Sequence, residues 1–178
     1  MGATRPRPGG RPDAGFEAFV AAGSARLLRT GFLLCGDRDE AEDLLQATLI
    51  RTGRHWEAAC VAPDAYAYRV LVNLVHDRHR RRRREASLRQ LGMASEAVAD
   101  PSTGVLDRSV LINAARALPE RQREVIVLRF FADLSVEQTA EVMGASAGTV
   151  KTHTSRALAA LRDALTEQTT GSTTGQGR

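Results

Sequence analysis

The feature of this sequence that most constrains its fold is the spacing of three residues in its C-terminal third. Ala140, Gly144 and Val150 follow one another at intervals of four and six positions. Two helices that meet at a tight turn need a small residue where their backbones approach and a residue that tolerates positive φ in the turn. They also need a branched apolar residue where the second helix packs back on the first. The spacing therefore predicts a helix-turn-helix within residues 135–165.

The second helix of this motif, capped by Ser146, divides into a buried face and an exposed face. Its predicted buried residues are Val150, Ala157, Leu158, Leu161 and Leu165. Its early exposed positions carry polar or basic side chains: Thr149, Lys151, Thr152, His153, Ser155 and Arg156. Such side chains on the first half of a recognition helix reach base edges and phosphates in the major groove. The pattern predicts DNA binding, and the alternative is a helical hairpin with a solvated polar face.

The rest of the chain also has the apolar spacing of amphipathic helices. One helix is predicted over residues 16–36, and a second begins at Asp37, whose side chain caps it with Glu40 three positions later. A third begins at Pro63 and runs into the arginines that end at residue 84, after a loop over residues 54–62 that contains Trp56. Further helices are expected to end at Pro119, near residue 131 and at residue 143. Because only 4% of the residues are aromatic, we expect a core of Leu, Val and Ala and an all-α fold.

The helical pattern is interrupted once, over residues 85–104. This segment contains Gly92, Asp100, Pro101 and Gly104, which favour turns and loops. The sequence therefore predicts two small helical domains, residues 14–84 and residues 105–165, joined by a flexible linker. Residues 1–13 and 166–178 are predicted to be disordered tails.

Charge is segregated along the chain, whose net charge is +4. Five of the seven residues 37–43 are acidic, and six of the seven residues 78–84 are arginine. A basic helix end close to Tyr66, Tyr68 and Asn73 suits a nucleic-acid backbone and its bases. The acidic helix would repel DNA and therefore suits a protein partner. The alternatives for the arginines are a solvated helix terminus or a nuclear-type basic patch, and the alternative for the acidic residues is first-turn acids that only favour the helix dipole.

Several classes of protein and site are not expected. Cys35 and Cys60 are predicted to be ordinary buried thiols in a reducing compartment. The spacing of His55, Cys60, His76 and His79 matches no closed zinc site, so no metal and no cofactor are expected. We find no signal peptide and no apolar stretch that approaches the ~20 residues needed to cross a bilayer, which predicts a cytoplasmic protein without membrane insertion.

An enzymatic function is not expected either. The sequence contains no glycine-rich phosphate loop and no nucleophile elbow. His76 beside Asp77 could form an acid/base pair, but the simpler interpretation is two polar positions on an exposed helix face.

Three parts of the sequence resemble the sigma-70 family of RNA polymerase sigma factors. Residues 39–49 (DEAEDLLQATL) are similar to the core-binding helix of that family, and residues 64–69 (DAYAYR) and 73–77 (NLVHD) are similar to its promoter −10 region. Residues 118–125 (LPERQREV), 134–135 (LS) and 148–151 (GTVK) are similar to its region four. The presence of regions two and four alone resembles the extracytoplasmic function (ECF) group. Residues 32–37 (FLLCGD) and 155–158 (SRAL) resemble its SigE-like actinobacterial branch.

The resemblance, which covers residues 14–165, implies a function and its partners. Region two would dock on the clamp of the largest subunit of bacterial core RNA polymerase through Asp39, Glu42, Asp43 and Gln46. It would hold a flipped base of the promoter −10 element, with Trp56, Tyr66, Arg69, Asn73, Asp77, Arg80 and Arg81 as DNA-binding residues. Region four would lie on the β-subunit flap and read the −35 element with its recognition helix. An anti-sigma factor is a further partner that the resemblance suggests.

The sequence departs from the family pattern at a few positions. Ala47 lies where members often carry an acid, His153 and Thr154 replace a frequent Arg-Leu pair, and Ser155 lies where an aromatic residue can occur. The −35 preference is therefore left open. The alternative function is a LuxR-like helix-turn-helix regulator that acts without docking on polymerase. That interpretation leaves the acidic helix and the arginines of residues 80–84 unexplained.

Overall fold

The computed structural model describes residues 14–90 and 113–172, with side chains described for residues 14–87 and 113–166. The first domain contains α1 (Ala14–Cys35), α2 (Arg38–Arg54), the single turn α3 (Trp56–Ala59) and α4 (Pro63–Gln90). The second contains α5 (residues 113–117), α6 (Glu120–Ile126) with a π-helical turn (Val127–Phe131), α7 (Val136–Met143) and α8 (Ala147–Ser172). Every regular element in these ranges is a helix, which confirms the all-α prediction.

The helix starts follow from local capping. The Asp37 side chain accepts a hydrogen bond from the Glu40 main-chain N at 2.7 Å, as predicted for the start of α2. The Glu40 carboxylate is buried and contacts Arg82 of α4 instead of folding back on Asp37. At the start of α7, Ser135 and Gln138 form a reciprocal capping box.

The core of the first domain lies where α1, α2 and α4 meet. Leu27, Leu44 and Leu71 are each at most 1% exposed. Burying a leucine side chain contributes about 1.5–3 kcal/mol, so this junction is a major source of stability for the domain. On α4 the buried positions include Tyr68 and Val72, whereas Val70 is only half-buried.

Three predicted helix limits are wrong. α3 lies within the predicted loop of residues 54–62, where Trp56 begins a single helical turn. α4 does not end at residue 84 but continues to Gln90, and α8 continues past residue 166 to Ser172. Adding residues to an existing helix costs much less than starting one, so a helix runs on until a strong breaker is reached. The remainder of the predicted linker, the predicted N-terminal tail and residues 173–178 of the predicted C-terminal tail lie outside the described residues.

Four predictions of burial are also wrong. Leu158 of α8 is 40% exposed and Leu165 is only half-buried, since the buried face of this helix passes through Val150, Ala157 and Leu161. Cys60 is exposed and Cys35 is half-buried, so they are not two buried thiols. Burial is the main cause that raises the pKa of the Cys35 thiol.

Helix α1 spans 22 residues, close to the predicted range, and is more apolar than expected. By length and composition alone it could cross a membrane, contrary to the prediction that no such stretch exists. Phe19, Leu27, Leu33 and Leu34 are nevertheless buried in the core, and a core helix of this kind passes the same test. The finding is therefore weak evidence for a membrane span.

The two domains pack against each other through a continuous apolar cluster. Leu33 and Leu34 of α1 belong to the same buried cluster as Val127 and Leu128 of the π-helical turn. Helices α4 and α7 are also in contact across this boundary. A second, smaller cluster within the second domain joins α5, α6 and α8. We call this packed state of the two domains the closed arrangement.

Candidate nucleic-acid and polymerase interfaces

The helix-turn-helix is present where the sequence predicts it. Ala140 is 8% exposed where α7 approaches α8, and Val150 is fully buried where α8 packs back. Gly144 ends α7 with φ 61° and ψ 38°, the left-handed conformation that glycine adopts without steric cost. The Ala145 main-chain N then donates to the Ala140 carbonyl at 2.9 Å and closes the turn.

The predicted base-contacting residues of α8 differ in their freedom to reach a ligand. Lys151, Ser155 and Arg156 are exposed. The Thr152 hydroxyl is also exposed but donates to the Gly148 carbonyl at 3.0 Å, and the Thr149 hydroxyl lies 2.9 Å from that of Ser146. His153 is half-buried. The most available polar groups are therefore the two cationic side chains and the Ser155 hydroxyl.

The predicted −10 residues of α4 lie on one side of that helix. Residues 66, 69, 73, 77 and 80 are spaced by three or four positions, which places them on one helix face, called the α4 stripe. Asn73 and Arg80 are exposed, and Tyr66 is half-buried. Arg69 forms an ion pair with Glu141 of α7, and Arg80 pairs with Asp77 on the same helix.

Trp56 is not part of the α4 stripe, because its ring packs against aromatic residues of α1. Its ring centroid lies 5.3 Å from that of Phe16, in an edge-to-face arrangement, and 5.7 Å from that of Phe19. Aromatic contacts of this kind contribute about 0.5–1.5 kcal/mol beyond burial. The Trp56 ring therefore has a structural role, and its predicted contact with DNA stays a prediction.

The arginines of residues 78–84 are of two kinds. Arg78 and Arg82 both contact the buried carboxylate of Glu40, and Arg78 also lies 3.3 Å from Asp43. These two arginines therefore fasten α4 to α2. Among the residues that the structure describes, Arg81 and Arg84 are exposed and have no acidic partner. Only part of the run is a solvated basic surface.

The predicted polymerase-binding residues form one exposed face of α2. Asp39, Glu42, Asp43 and Gln46 are all exposed, and their spacing of three, four and seven positions places them on adjacent turns. Glu42 pairs with Arg38 at 3.3 Å. This face is acidic and points away from the core that α2 shares with α1 and α4.

A polar network between the domains was not predicted. His76 Nε2 of α4 contacts the Glu124 carboxylate of α6, and His79 Nδ1 lies 3.0 Å from Glu120 Oε1. Arg83 also donates to Glu120, at 3.0 Å. The hydrogen bond with His79 is the main cause that holds the pKa of Glu120 below its usual value. The sequence contains a signal for this network, since His76 and His79 are three positions apart and the two glutamates are four apart.

The same network brings together side chains that can hold a metal ion. One donor atom from each of His76, Glu120 and Glu124 lies within 4.8 Å of the others. The second oxygens of the two carboxylates accept hydrogen bonds from Arg83 and Arg121, each at 3.0 Å. With two arginines this close, the cluster is arranged as an ion-pair network.

Two arginines of the second domain bind the C-terminal end of α1. Arg116 Nη2 donates to the Gly36 carbonyl at 2.8 Å, and Arg123 Nη1 donates to the Leu34 carbonyl at 3.1 Å. Gly36 has φ 81°, and a Cβ there would lie 2.6 Å from Arg116 Nη2. Cations favour the carbonyl end of a helix, so these contacts also hold the domains together.

Family models match both domains. Residues 19–85 match the model described as sigma-70 region 2, and residues 108–161 match the model described as sigma-70, region 4. Because a region 2 match covers the first domain, the LuxR-like alternative is not supported.

Relatives and solved structures agree with these matches. The chain is 39% identical over 153 residues to the RNA polymerase sigma-E factor of Streptomyces avermitilis, with 84% of each chain covered. It is 32% identical over 150 residues to the ECF RNA polymerase sigma factor SigL of Mycobacterium tuberculosis, which covers 81% of this chain and 85% of that relative. The sigma factor RpoE of Bartonella quintana, solved with the anti-sigma factor NepR, is similar with a TM-score of 0.72 and 27% identity, over 85% of this chain and 96% of that one. The chain therefore belongs to the sigma-70 family of RNA polymerase sigma factors, in its ECF group.

Proposed function

We propose that this chain binds core RNA polymerase and directs it to promoters, with the first domain holding the −10 element and the second reading the −35 element. The observation that carries the proposal is the helix-turn-helix, whose second helix exposes Lys151, Ser155 and Arg156. Arginine and lysine contact guanine edges and phosphates, and serine reaches either. A protein with this surface binds duplex DNA through the major groove.

A second DNA-binding surface on the first domain supports a role in initiation. The stripe on α4 combines Tyr66 and Asn73, which suit unpaired bases, with the exposed charges of Arg80 and Arg81. The acidic face of α2 would be repelled by DNA and is available for the polymerase clamp. Together these surfaces fit a factor that joins an enzyme to two separate DNA elements.

The closed arrangement must open before both elements are read. Centres of elements at −10 and −35 are about 25 base pairs apart, or roughly 85 Å of B-DNA at ~3.4 Å per base pair. In the closed arrangement the ion pair between Arg69 and Glu141 joins the α4 stripe directly to the helix-turn-helix. We therefore propose that docking on polymerase separates the domains.

The proposal is tested by transcription with purified components. The full chain is mixed with sigma-free bacterial core polymerase and a library of promoter fragments, and the transcripts are sequenced. Transcripts that depend on the chain and share two elements are expected, with Arg156→Ala changing the choice at the upstream element. Binding to DNA without any association with polymerase would contradict the proposal.

The contribution of α2 is tested by affinity for core polymerase. Gln46→Ala combined with Glu42→Ala should weaken binding, while Glu57→Ala on α3, which also removes an exposed carboxyl, serves as the control. Circular dichroism should show the same helix content for each variant. Equal affinity of the α2 variant and the wild type would remove these residues from the docking surface.

We also propose a cytoplasmic location and an anti-sigma protein as a partner. The likeness to a sigma factor solved in complex with an anti-sigma factor supports a partner of this class. Co-purification of the tagged chain from its own cells, with mass spectrometry of the bound proteins, tests this. Recovery of polymerase subunits alone, under conditions where the factor is silent, would contradict it.

A further inference from the structure

The cleft between the two domains is lined by an excess of positive charge. It has a volume of about 550 Å³ and is a shallow cleft that is widely open to solvent. The residues that line it are His79, Arg82, Arg83, Arg116, Ala117, Leu118, Pro119, Glu120 and Arg123. Four arginines and a histidine therefore face a single carboxylate, that of Glu120.

These cations come from both domains. His79, Arg82 and Arg83 lie three and four positions apart on α4, so they share one helix face. Arg116 and Arg123 belong to the second domain and reach the cleft from the opposite side. A ligand that contacts both groups must bridge the domains.

Two of the four guanidinium charges are not neutralised within the described part of the chain. Arg82 contacts Glu40, and Arg83 shares Glu120 with His79. Arg116 and Arg123 instead donate to main-chain carbonyls, which carry no net charge. Burial is the main cause that lowers the pKa of the Arg123 guanidinium; the charge of Arg116 lowers it further, and the charges of Glu120 and Glu124 oppose these effects without cancelling them. An anion in the cleft would relieve both effects.

We propose that this cleft is a binding site for a phosphate-bearing ligand that bridges the two domains. Guanidinium groups form paired, charge-assisted hydrogen bonds with phosphate oxygens, which makes arginine the preferred residue for such ligands. The volume lies within the range of small-molecule sites, about 300–1,000 Å³, and accommodates several linked phosphates. Because the ligand would bind only while the domains are together, it would favour the closed arrangement. Phosphate binding itself does not rest on the proposed function.

The test is calorimetric titration of the full chain with inorganic triphosphate at constant ionic strength. Arg116→Gln and Arg83→Gln, one in each domain, should each weaken binding by about tenfold or more, because each removes a charge-assisted hydrogen bond. Arg29→Gln removes an exposed arginine of α1 outside the cleft and should leave the dissociation constant within about twofold. Circular dichroism of all variants checks that they are folded.

Three outcomes are informative. Weakening by both cleft variants supports the bridging site. Weakening by the variant of only one domain, or by neither, overturns it. A parallel titration with a short single-stranded oligonucleotide separates the sources of phosphate: if it binds with the same dependence on Arg83 and Arg116 and triphosphate does not bind, the phosphates are those of nucleic acid. No polymerase and no promoter is present, so failure here does not affect the proposed initiation role.

Discussion

Arg69 of α4 and Glu141 of α7 form an ion pair that spans the boundary between the two domains. Arg69 belongs to the proposed −10 surface, and Glu141 lies on the first helix of the helix-turn-helix. In the closed arrangement the positive charge of Arg69 is therefore directed at a carboxylate of its own chain. Access of the −10 element to this part of α4 requires that the pair be broken.

Replacement of Glu141 by glutamine should change the stability of the chain very little. The two side chains are 43% and 62% exposed, and exposed ion pairs contribute about 0–1 kcal/mol. The free energy of unfolding, measured in urea, should fall by less than about 1 kcal/mol. A decrease of more than about 2 kcal/mol would mean that the pair is a major part of the interface.

Acidification should weaken the interaction of Glu120 with His79 and Arg83. The pKa of Glu120 is lowered from 4.5 in the folded chain, so its ionised form stabilises the fold above about pH 4.5. That contribution disappears as the pH falls through the lowered pKa. In urea unfolding at about pH 6 and about pH 3.5, Glu120→Gln should therefore lose less stability on acidification than the wild type.

Asp39→Asn, which removes an exposed carboxyl from α2, is the control for net charge in that experiment. It should retain more of the wild-type response to acidification than Glu120→Gln does. If the wild type and Glu120→Gln responded equally, the assigned role of Glu120 would be wrong.

Gly144→Ala tests the turn of the helix-turn-helix. A Cβ at Gly144 would have no atom within 4 Å, so the cost comes only from φ 61°, and we expect a decrease in stability of about 1–2 kcal/mol. Gly148→Ala is the matched control, because Gly148 lies in α8 without positive φ and the nearest atom to its Cβ would be 3.7 Å away. That variant should be neutral or more stable by up to about 1 kcal/mol. Equal decreases for both variants would argue against backbone strain.

Arg156→Ala should weaken binding to duplex DNA that contains the upstream element by about 1–3 kcal/mol, if Arg156 contacts a base. The measurement is an assay in which specific and nonspecific duplexes compete for binding to the polymerase holoenzyme that contains this chain. Arg162→Ala removes an exposed arginine further along α8 and should preserve the preference between duplexes. An unchanged preference in Arg156→Ala would exclude base contact by that residue.

The arginine run should separate into DNA-binding and structural members. Replacing Arg81 and Arg84 by glutamine should reduce the salt dependence of promoter binding by about one unit of slope for each phosphate that is no longer neutralised, with little change in stability. Arg82→Gln leaves the buried Glu40 with one cation fewer, so it should lower the free energy of unfolding by about 1–3 kcal/mol. An unaltered salt slope in the double variant would assign Arg81 and Arg84 to a merely solvated surface.

The features that could be predicted from the sequence are those set by neighbours along the chain. The caps at Asp37 and Ser146 and the turn at Gly144 depend on residues three to six positions away, and the structure has each of them. The α2 face and the α4 stripe follow from helical spacing in the same way. The sequence alone therefore predicts that the proposed site residues lie on these faces.

The contacts between the domains could not be predicted from helical spacing. Glu40 was interpreted as part of a capping box, but its carboxylate is bound by arginines about forty positions later. The separation of acidic and basic runs looked like two binding surfaces, and the fold partly neutralises one with the other. Trp56 is similar, because its packing on Phe16 depends on how α1 lies against α3. Such pairings depend on tertiary geometry that periodicity does not specify.

The hydrogen bonds of Arg116 and Arg123 with α1 have an evolutionary consequence. Both arginines bind main-chain carbonyls, of Gly36 and Leu34, so any residue at position 34 offers the same acceptor. Selection on the hydrogen bond of Arg123 with Leu34 therefore acts on the arginine alone, whereas Gly36 is constrained as well, because a Cβ there would lie 2.6 Å from Arg116 Nη2. Paired substitutions across related sequences would therefore not mark the contact of Arg123 with α1, although it holds the two domains together.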